Sequence, residues 1–210
     1  MADAASVGSC QSAPSSQPTL AASATAESIM RWYWIDRFLE FKRGKRAVAV
    51  KAVTMSEEQH DSYLPGYPVM PSSLIIEGMA QTAGILVGEM SGFEERVVLA
   101  KISKAVFHKP TECGDVIRYT AELQDVQKDG AIATVTGHVG DELRAEVDLM
   151  FAFLDDRFPK GPLFDPEDFL VMLRSFHLYD VGVDENGAPI KPPQAYVDAE
   201  RAAYQAAGLI

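Results

Sequence analysis

The segment from Tyr63 to Met90 reads Y-L-P-G-Y-P-V-M-P-S-S-L-I-I-E-G-M-A-Q-T-A-G-I-L-V-G-E-M and is the most informative part of the chain about its architecture. Its first third is punctuated by proline and glycine, which fix backbone angles and exclude helix as far as Pro71. The remainder is apolar on every side, which is typical of a helix that the rest of a domain surrounds. We therefore predict a buried helix that is capped by Ser72 or Ser73 and ends near Met90.

Two strongly polar side chains, Glu77 and Gln81, interrupt the middle of this helix. They are four residues apart, so they lie on one helical face. A carboxylate in so apolar a segment is costly to bury unless it has a partner or a function. Two interpretations follow: Glu77 is a functional acid or base, or it is a structural carboxylate bonded to Gln81 and to loop amides.

The composition is that of an ordinary globular protein, with 210 residues of which 47% are hydrophobic and 23% charged. The net charge of -11 argues against binding to nucleic acid or to an anionic membrane surface. The apolar run is short for a membrane span, and polar residues interrupt it. The two cysteines, Cys10 and Cys113, make neither a disulfide framework nor a metal cluster, and they favour a reducing cytoplasm. We expect no metal and no cofactor.

Strand patterns flank the predicted helix on both sides. The valine-rich segment Arg46 to Met55 predicts a strand before it, whereas residues 28–41 suit a helix or a strand. Hairpin signals at Asp129-Gly130 and Gly140-Asp141 separate later segments. One strand, a buried helix and four strands joined mostly by tight turns predict the α+β class, with an antiparallel sheet curled around a central helix. The four later strands are predicted at Val97–Phe107, Val116–Gln127, Ala131–Val139 and Leu143–Leu154.

Composition also divides the chain into three parts. Residues 1–29 lack the charged start and apolar run of a secretory signal and the arginines of a transit peptide, so we expect a disordered tail. Residues 30–155 hold the predicted sheet and helix. Residues 156–210 are predicted to be an acidic extension packed on that domain, with helices from Pro166 to about Phe176, capped by Asp165, and from Gln194 to Ala207.

From about Tyr33 to Leu154 the chain resembles the 3-hydroxyacyl-acyl carrier protein dehydratases of fatty acid synthesis, which have the hot-dog fold. The most specific match is L-P-G-Y-P-V-M-P-S-S-L-I-I-E-G-M-A-Q, from Leu64 to Gln81. It is similar to the family's His-Phe-Pro-Gly-x-Pro-Val-Met-Pro-Gly-x-Leu-x-Ile-Glu-Ala-Met-Ala-Gln. Further agreement comes from D-R-F-L-E-F-K-R-G-K-R, A-K-I-S-K-A-V-F-H-K-P and A-E-V-D-L-M-F-A. The resemblance implies a hot-dog domain followed by a C-terminal helical extension.

The resemblance also implies a chemistry. In that family a histidine and a carboxylate of the central helix, contributed across a dimer interface, remove water from a 3-hydroxyacyl thioester to give the trans-2-enoyl product. Glu77 matches the acidic position and Gln81 the glutamine. Backbone N–H groups at the helix start would polarise the thioester carbonyl, and here a serine replaces the usual glycine. The implied substrate-binding residues are Gly66, Pro71, Ser72, Ser73 and Gln81.

The sequence departs from the family at the histidine, because Tyr63 stands in its place. A phenol with a pKa of about 10 is a poor base near neutral pH but a reasonable acid or hydrogen-bond donor. Three alternatives are open: Glu77 is the base with Tyr63 as acid or orienter, His60 takes over, or dehydration is lost. The structural alternatives are that Tyr63 fills volume at a dimer interface and that His60 is simply exposed among polar neighbours.

Three functions therefore compete: a 3-hydroxyacyl-acyl carrier protein dehydratase, an acyl thioesterase that uses Glu77, and a non-catalytic acyl- or carrier-binding subunit. The expected partners are acyl carrier protein or a coenzyme A thioester, and a second copy of the chain, with a trimer of dimers as a further assembly. Because the carrier is acidic, docking needs a local basic patch, although scattered solubilising charges are the alternative. The candidates are Lys101, Lys104 and Lys109, together with Arg43, Lys45 and Arg46.

Overall fold

A computed structural model describes residues 32–60, 66–159 and 161–208. The predicted central helix is confirmed as α1, Ser72–Glu89. Its N-cap is Pro71, and no side chain caps it, so the predicted serine cap is wrong. Pro71 has an extended ψ of 135°, and Ser72 is already helical, which leaves the serines inside the first turn. Among the described residues no helix is both long and apolar enough to cross a membrane.

One seven-stranded sheet wraps this helix, in the order β3-β6-β5-β4-β2-β1-β7. Neighbouring strands are antiparallel, except that β7 runs parallel to β1. The α+β class and the hot-dog fold are confirmed. The strands are β1 (Arg37–Lys42), β2 (Arg46–Ala52), β3 (Val97–Phe107), β4 (Val116–Gln127), β5 (Gly130–Val139), β6 (Glu142–Phe153) and β7 (Gly182–Val183).

The four later strands match the prediction to within one residue at each end. The first predicted strand was too long, since β2 ends at Ala52 and not at Met55. Val53 leaves the ladder because its N–H donates to the Asp115 carbonyl and its own carbonyl accepts from Gly114, each at 2.9 Å. The ambiguous segment 28–41 becomes strand only from Arg37.

The helix packs on the sheet through close contacts at glycine. A Cβ on Gly137 of β5 would lie 2.9 Å from the Met79 Cε, so the bare backbone there admits the methionine side chain. Ile117, Tyr119 and Ala121 alternate along one face of β4, and all three are fully buried. The core therefore lies between the helix and this face of the sheet.

Residues beyond 156 form α2 (Pro166–Ser175), α3 (Leu178–Val181), the short β7 and α4 (Gln194–Ala206). Both longer helices end one residue before the predicted ends. β7 pairs with β1 through Phe41 and Gly182, and the Phe38 N–H donates to the Phe176 carbonyl at 2.8 Å. This segment thus covers the β1 edge of the sheet and adds buried side chains such as Leu173 to the core. The division at residues 29 and 155 stays a prediction, and residues 1–31 lie outside the described part.

The far end of α1 is joined to the β1–β2 turn by an ion pair in which the carboxylate is buried and the guanidinium is a third exposed. The Arg43 guanidinium donates to both oxygens of Glu89, with Nε–Oε2 at 2.8 Å and Nη2–Oε1 at 2.5 Å. These bonds raise the pKa of Arg43 above its ordinary value. The Arg43 backbone N–H also donates to the Val183 carbonyl at 3.0 Å. One residue therefore joins the central helix, the first hairpin and β7.

Candidate active site

Glu77 and Gln81 lie half-buried on one face of α1, and they are bonded to each other. Gln81 Nε2 donates to Glu77 Oε1 at 3.0 Å. Gln81 Oε1 accepts the backbone N–H of Trp34 at 2.9 Å. Because a backbone N–H can only donate, this contact settles which amide atom faces Glu77.

The arrangement leaves the two oxygens of Glu77 in different situations. Oε1 accepts the Gln81 amide, whereas Oε2 has no hydrogen-bond partner among residues 32–60, 66–159 and 161–208. The expected bond between Glu77 and Gln81 is present, whereas no loop amide bonds Glu77 in the described segments. Oε2 is consequently the oxygen that can exchange a proton with a ligand.

The start of α1 supplies backbone donors. The Pro71 carbonyl accepts from the N–H groups of Leu74 and Ile75, at 3.0 and 3.1 Å. The amides of Ser72 and Ser73 precede these and have no backbone acceptor in the described chain. They lie at the positive end of the helix dipole, roughly 7 Å along the axis from Glu77. An anionic oxygen would be stabilised there.

The other implied substrate-binding residues lie just before the helix. Gly66 has φ +83°, a left-handed conformation in which a side chain would be strained. Pro71 is buried and Ser73 is exposed. Tyr63 lies outside the described residues, so its role stays a prediction.

His60 is buried, so the interpretation of an exposed loop histidine is wrong. Its side chain is 1% exposed, and neither ring nitrogen has a hydrogen-bond partner among the described residues. The segment turns back on itself, because the His60 N–H donates to the Glu57 carbonyl at 3.2 Å. The nearest carboxylate oxygen, Glu57 Oε2, lies 3.7 Å from Nε2. A catalytic role for His60 would require the ring to leave the core.

A charged cluster around the buried Lys51 lies beside His60, and the sequence did not predict it. Lys51 is buried; its Nζ bonds to a Glu57 oxygen, donates to the Ala52 carbonyl at 2.6 Å and lies 3.7 Å from Asp36 Oδ1. Burial, and then the carboxylates of Asp36 and Glu57, raise the pKa of the Tyr119 phenol. The sequence did contain a signal for this cluster. Ala47, Ala49 and Lys51 are two residues apart, so they lie on one face of β2, and a lysine on a buried face needs partners.

The six candidate docking residues do not form one patch within a chain. Lys101, Lys104 and Lys109 lie on or just after β3, at one end of the strand order. The other three flank the β1–β2 turn, beyond three intervening strands. Most have acidic neighbours: Lys104 with Glu146, Lys109 with Glu142, Arg43 with Glu89, and Arg46 with Glu40 and Glu122. Across the described residues no three His, Cys, Asp or Glu side chains converge as metal ligands would.

Comparison with known proteins finds a family model that matches most of the segment holding the sheet and the central helix. The family model described as a FabA-like domain matches residues 30–147. The 3-hydroxyacyl-[acyl-carrier-protein] dehydratase FabZ of Desulforamulus reducens is 40% identical over 119 residues, which are 56% of this chain and 84% of that protein. The FabZ dehydratase of Symbiobacterium thermophilum is 39% identical over 127 residues, 60% of this chain and 89% of the relative.

A solved structure supports the fold alone. The uncharacterized protein PH1136 from Pyrococcus horikoshii aligns with a TM-score of 0.50 at 17% identity. The alignment covers 62% of this chain and 91% of that one.

Replacement of His60 by leucine tests whether the buried imidazole holds a bond. At pH 8 we expect the free energy of unfolding of His60→Leu to be unchanged or raised by up to about 2 kcal/mol, because a buried unbonded polar group costs about that much. Urea denaturation measures it. The matched control is His108→Leu, which removes an exposed ring bonded to Glu146 and should change stability by less than about 1 kcal/mol. A loss above about 2 kcal/mol in His60→Leu would show that the ring is bonded.

Proposed function

The chain belongs to the FabA-like family, and on that premise we propose that it removes water from 3-hydroxyacyl-[acyl carrier protein] to give the trans-2-enoyl thioester of fatty acid biosynthesis. The observation that carries the proposal is the Glu77–Gln81 pair on the central helix, in which one carboxylate oxygen is held and the other has no bond among described residues. The FabZ relatives, at 39–40% identity, bear the name of this activity.

The elimination needs a base for the proton next to the thioester and an acid for the leaving hydroxyl. Glu77 Oε2 takes the C2 proton, the C2 electron pair forms the C2–C3 double bond, and the C3–O bond breaks. The Tyr63 phenol gives its proton to the departing hydroxyl, so that water leaves, and Glu77 then returns a proton to the phenolate. The amides of Ser72 and Ser73 stabilise negative charge on the thioester oxygen. The proposal does not use His60, because its ring is buried.

Replacement of Glu77 is the primary test. With Glu77→Gln we expect kcat for hydration of an enoyl-carrier thioester to fall by about 10²- to 10⁴-fold, since general acid–base help is worth that much. The reaction is followed by loss of enoyl absorbance. The matched control is Glu94→Gln, which changes an exposed glutamate just after the same helix and should leave kcat unchanged.

The same assay separates the competing functions. Thiol release without hydration, lost in Glu77→Gln, would identify a thioesterase. No turnover of hydroxyacyl, enoyl or saturated acyl thioesters would identify a non-catalytic subunit. Unimpaired hydration in Glu77→Gln would refute the proposed role of the carboxylate.

Tyr63 is tested by two substitutions at one position. Tyr63→Phe removes the proposed acid and should lower kcat by about 10²-fold. Tyr63→His supplies an imidazole with a pKa near 6.5, and the activity should be retained or raised near neutral pH. Full activity in Tyr63→Phe would mean that the phenol takes no part in proton transfer.

We further propose a homodimer in the cytoplasm, with acyl carrier protein as the carrier of the substrate. Support for the dimer comes from the two edges of the sheet: β7 covers β1, whereas β3 is an edge strand that exposes Leu99, Ile102 and Phe107. A long, apolar and uncovered edge invites pairing with another chain. Lys101 and Lys104 lie on the same strand and remain the candidates for carrier docking, with Lys109 just beyond it.

The dimer is tested at Ile102, which is 40% exposed on β3. We expect sedimentation velocity to give a dimer for the unmodified chain and a monomer, or at least tenfold weaker association, for Ile102→Lys, because the substitution places a charge on each side of the proposed pairing. The control is Val116→Lys, at a residue 50% exposed where β4 begins. Dimers of equal affinity in both variants would remove β3 as the interface.

A further inference from the structure

We infer that the backbone amide of Trp34 positions Glu77 through Gln81, and that Gly78 and Asp36 are the residues that place this amide. The inference rests on the proposed function, since the same carboxylate is the object of both. Trp34, Gly78 and Asp36 are not proposed to touch the substrate; they act as positioning residues.

Gly78 allows the backbone at Trp34 to approach the helix. A Cβ at position 78 would lie 2.6 Å from the Trp34 carbonyl oxygen and 2.6 Å from Tyr119 Cε2. One of these atoms is backbone and cannot swing aside. Glycine within a helix is about 1 kcal/mol less favourable than alanine, so the close approach gives it a physical reason to stand there. The dehydratase motif that the chain resembles has alanine at this position, so glycine here is a departure of this sequence.

Asp36 fixes the other end of the same short segment. Its N–H donates to the Val50 carbonyl at 2.7 Å, and its Oδ2 accepts the Ala52 N–H at 2.7 Å. Its second oxygen lies 3.7 Å from the buried ammonium of Lys51. The segment is therefore held to β2 by both backbone and side chain, two residues from the Trp34 amide.

The consequence for Gln81 is a fixed orientation. An amide side chain can turn by 180° and exchange its oxygen for its nitrogen, and with the oxygen towards Glu77 it would repel the carboxylate. The Trp34 N–H prevents this, because it is an obligatory donor 2.9 Å from Gln81 Oε1. Gln81 thus always presents Nε2 to Glu77 Oε1, which aims the other carboxylate oxygen in one direction. Misplacement of a catalytic group by about 1 Å can cost about 10²-fold in rate.

A double-mutant cycle tests this chain of contacts. We expect Gly78→Ala to lower kcat for enoyl hydration by about 10- to 100-fold with KM changed less than about threefold, since it acts on the carboxylate and not on substrate binding. In a Gln81→Met background, where the contact to Trp34 is already lost, the same substitution should lower kcat less than about twofold. Independent effects that simply multiply would overturn the inference, because a general disturbance of packing does not depend on Gln81.

Asp36 gives a second test that does not depend on how the helix tolerates alanine. Asp36→Asn keeps an oxygen that can accept the Ala52 N–H, so it should retain most of kcat. Asp36→Ala loses that acceptor and should lower kcat by about tenfold, again with little effect in the Gln81→Met background. The control is Asp141→Asn, an exposed turn residue. Equal loss in the Asn and Ala variants, or loss that persists without Gln81, would refute the role of Asp36.

The Glu77→Gln variant separates a failure of the proposed function from a failure of the positioning role. If Glu77→Gln leaves hydration intact, the proposed function fails and there is no catalytic carboxylate to position. Suppose that Glu77→Gln abolishes hydration, but Gly78→Ala and Asp36→Ala lower kcat by the same factor with and without Gln81→Met. The proposed function then stands, and only the positioning inference is lost.

Discussion

A helix that is apolar on nearly every side, yet carries a carboxylate and an amide at its centre, is the constraint on which this structure depends. Its apolar surface has to be covered, and the curved antiparallel sheet does so. Its polar groups have to be bonded, because an unbonded polar group is costly to bury. Gln81 bonds Glu77, and the Trp34 amide bonds Gln81, so the path of the chain into β1 is tied to the helix that β1 helps to cover.

The helix carries a second carboxylate, and the contrast between the two is informative. Glu89 is fully buried and both of its oxygens are bonded by Arg43. The Arg43 side chain is a third exposed, but the pair leaves no oxygen of Glu89 for chemistry. Glu77 is half-buried, and one of its oxygens has no partner in the described chain. Glu89 has the environment of a structural group, whereas Glu77 keeps the oxygen that the proposed catalytic role requires.

Local sequence patterns predicted most helices and strands well. They failed where contacts with residues distant in sequence determine the structure. The strands after the helix follow from alternation and from glycine in tight turns, both of which involve neighbouring residues. β7 escaped prediction because two residues carry no periodicity; it is strand only because β1 lies beside it. His60 has polar neighbours, which predicted exposure, but the turn from Glu57 to His60 places it in the core. The serine cap failed because Pro71 already occupies the capping position.

Sequence alone was enough to predict the buried helix and the four strands that follow it along the chain. It also placed Glu77 beside Gln81, since residues four apart on a helix are neighbours whatever surrounds them. The direction of the Gln81 amide depends on the folded chain, because the partner of its oxygen is a backbone N–H 47 residues away. Backbone donors are present at nearly every position, so no residue type marks the one that will be used. The cluster of Lys51, Glu57 and Asp36 was decided in the same way, since chain folding brings those charges together.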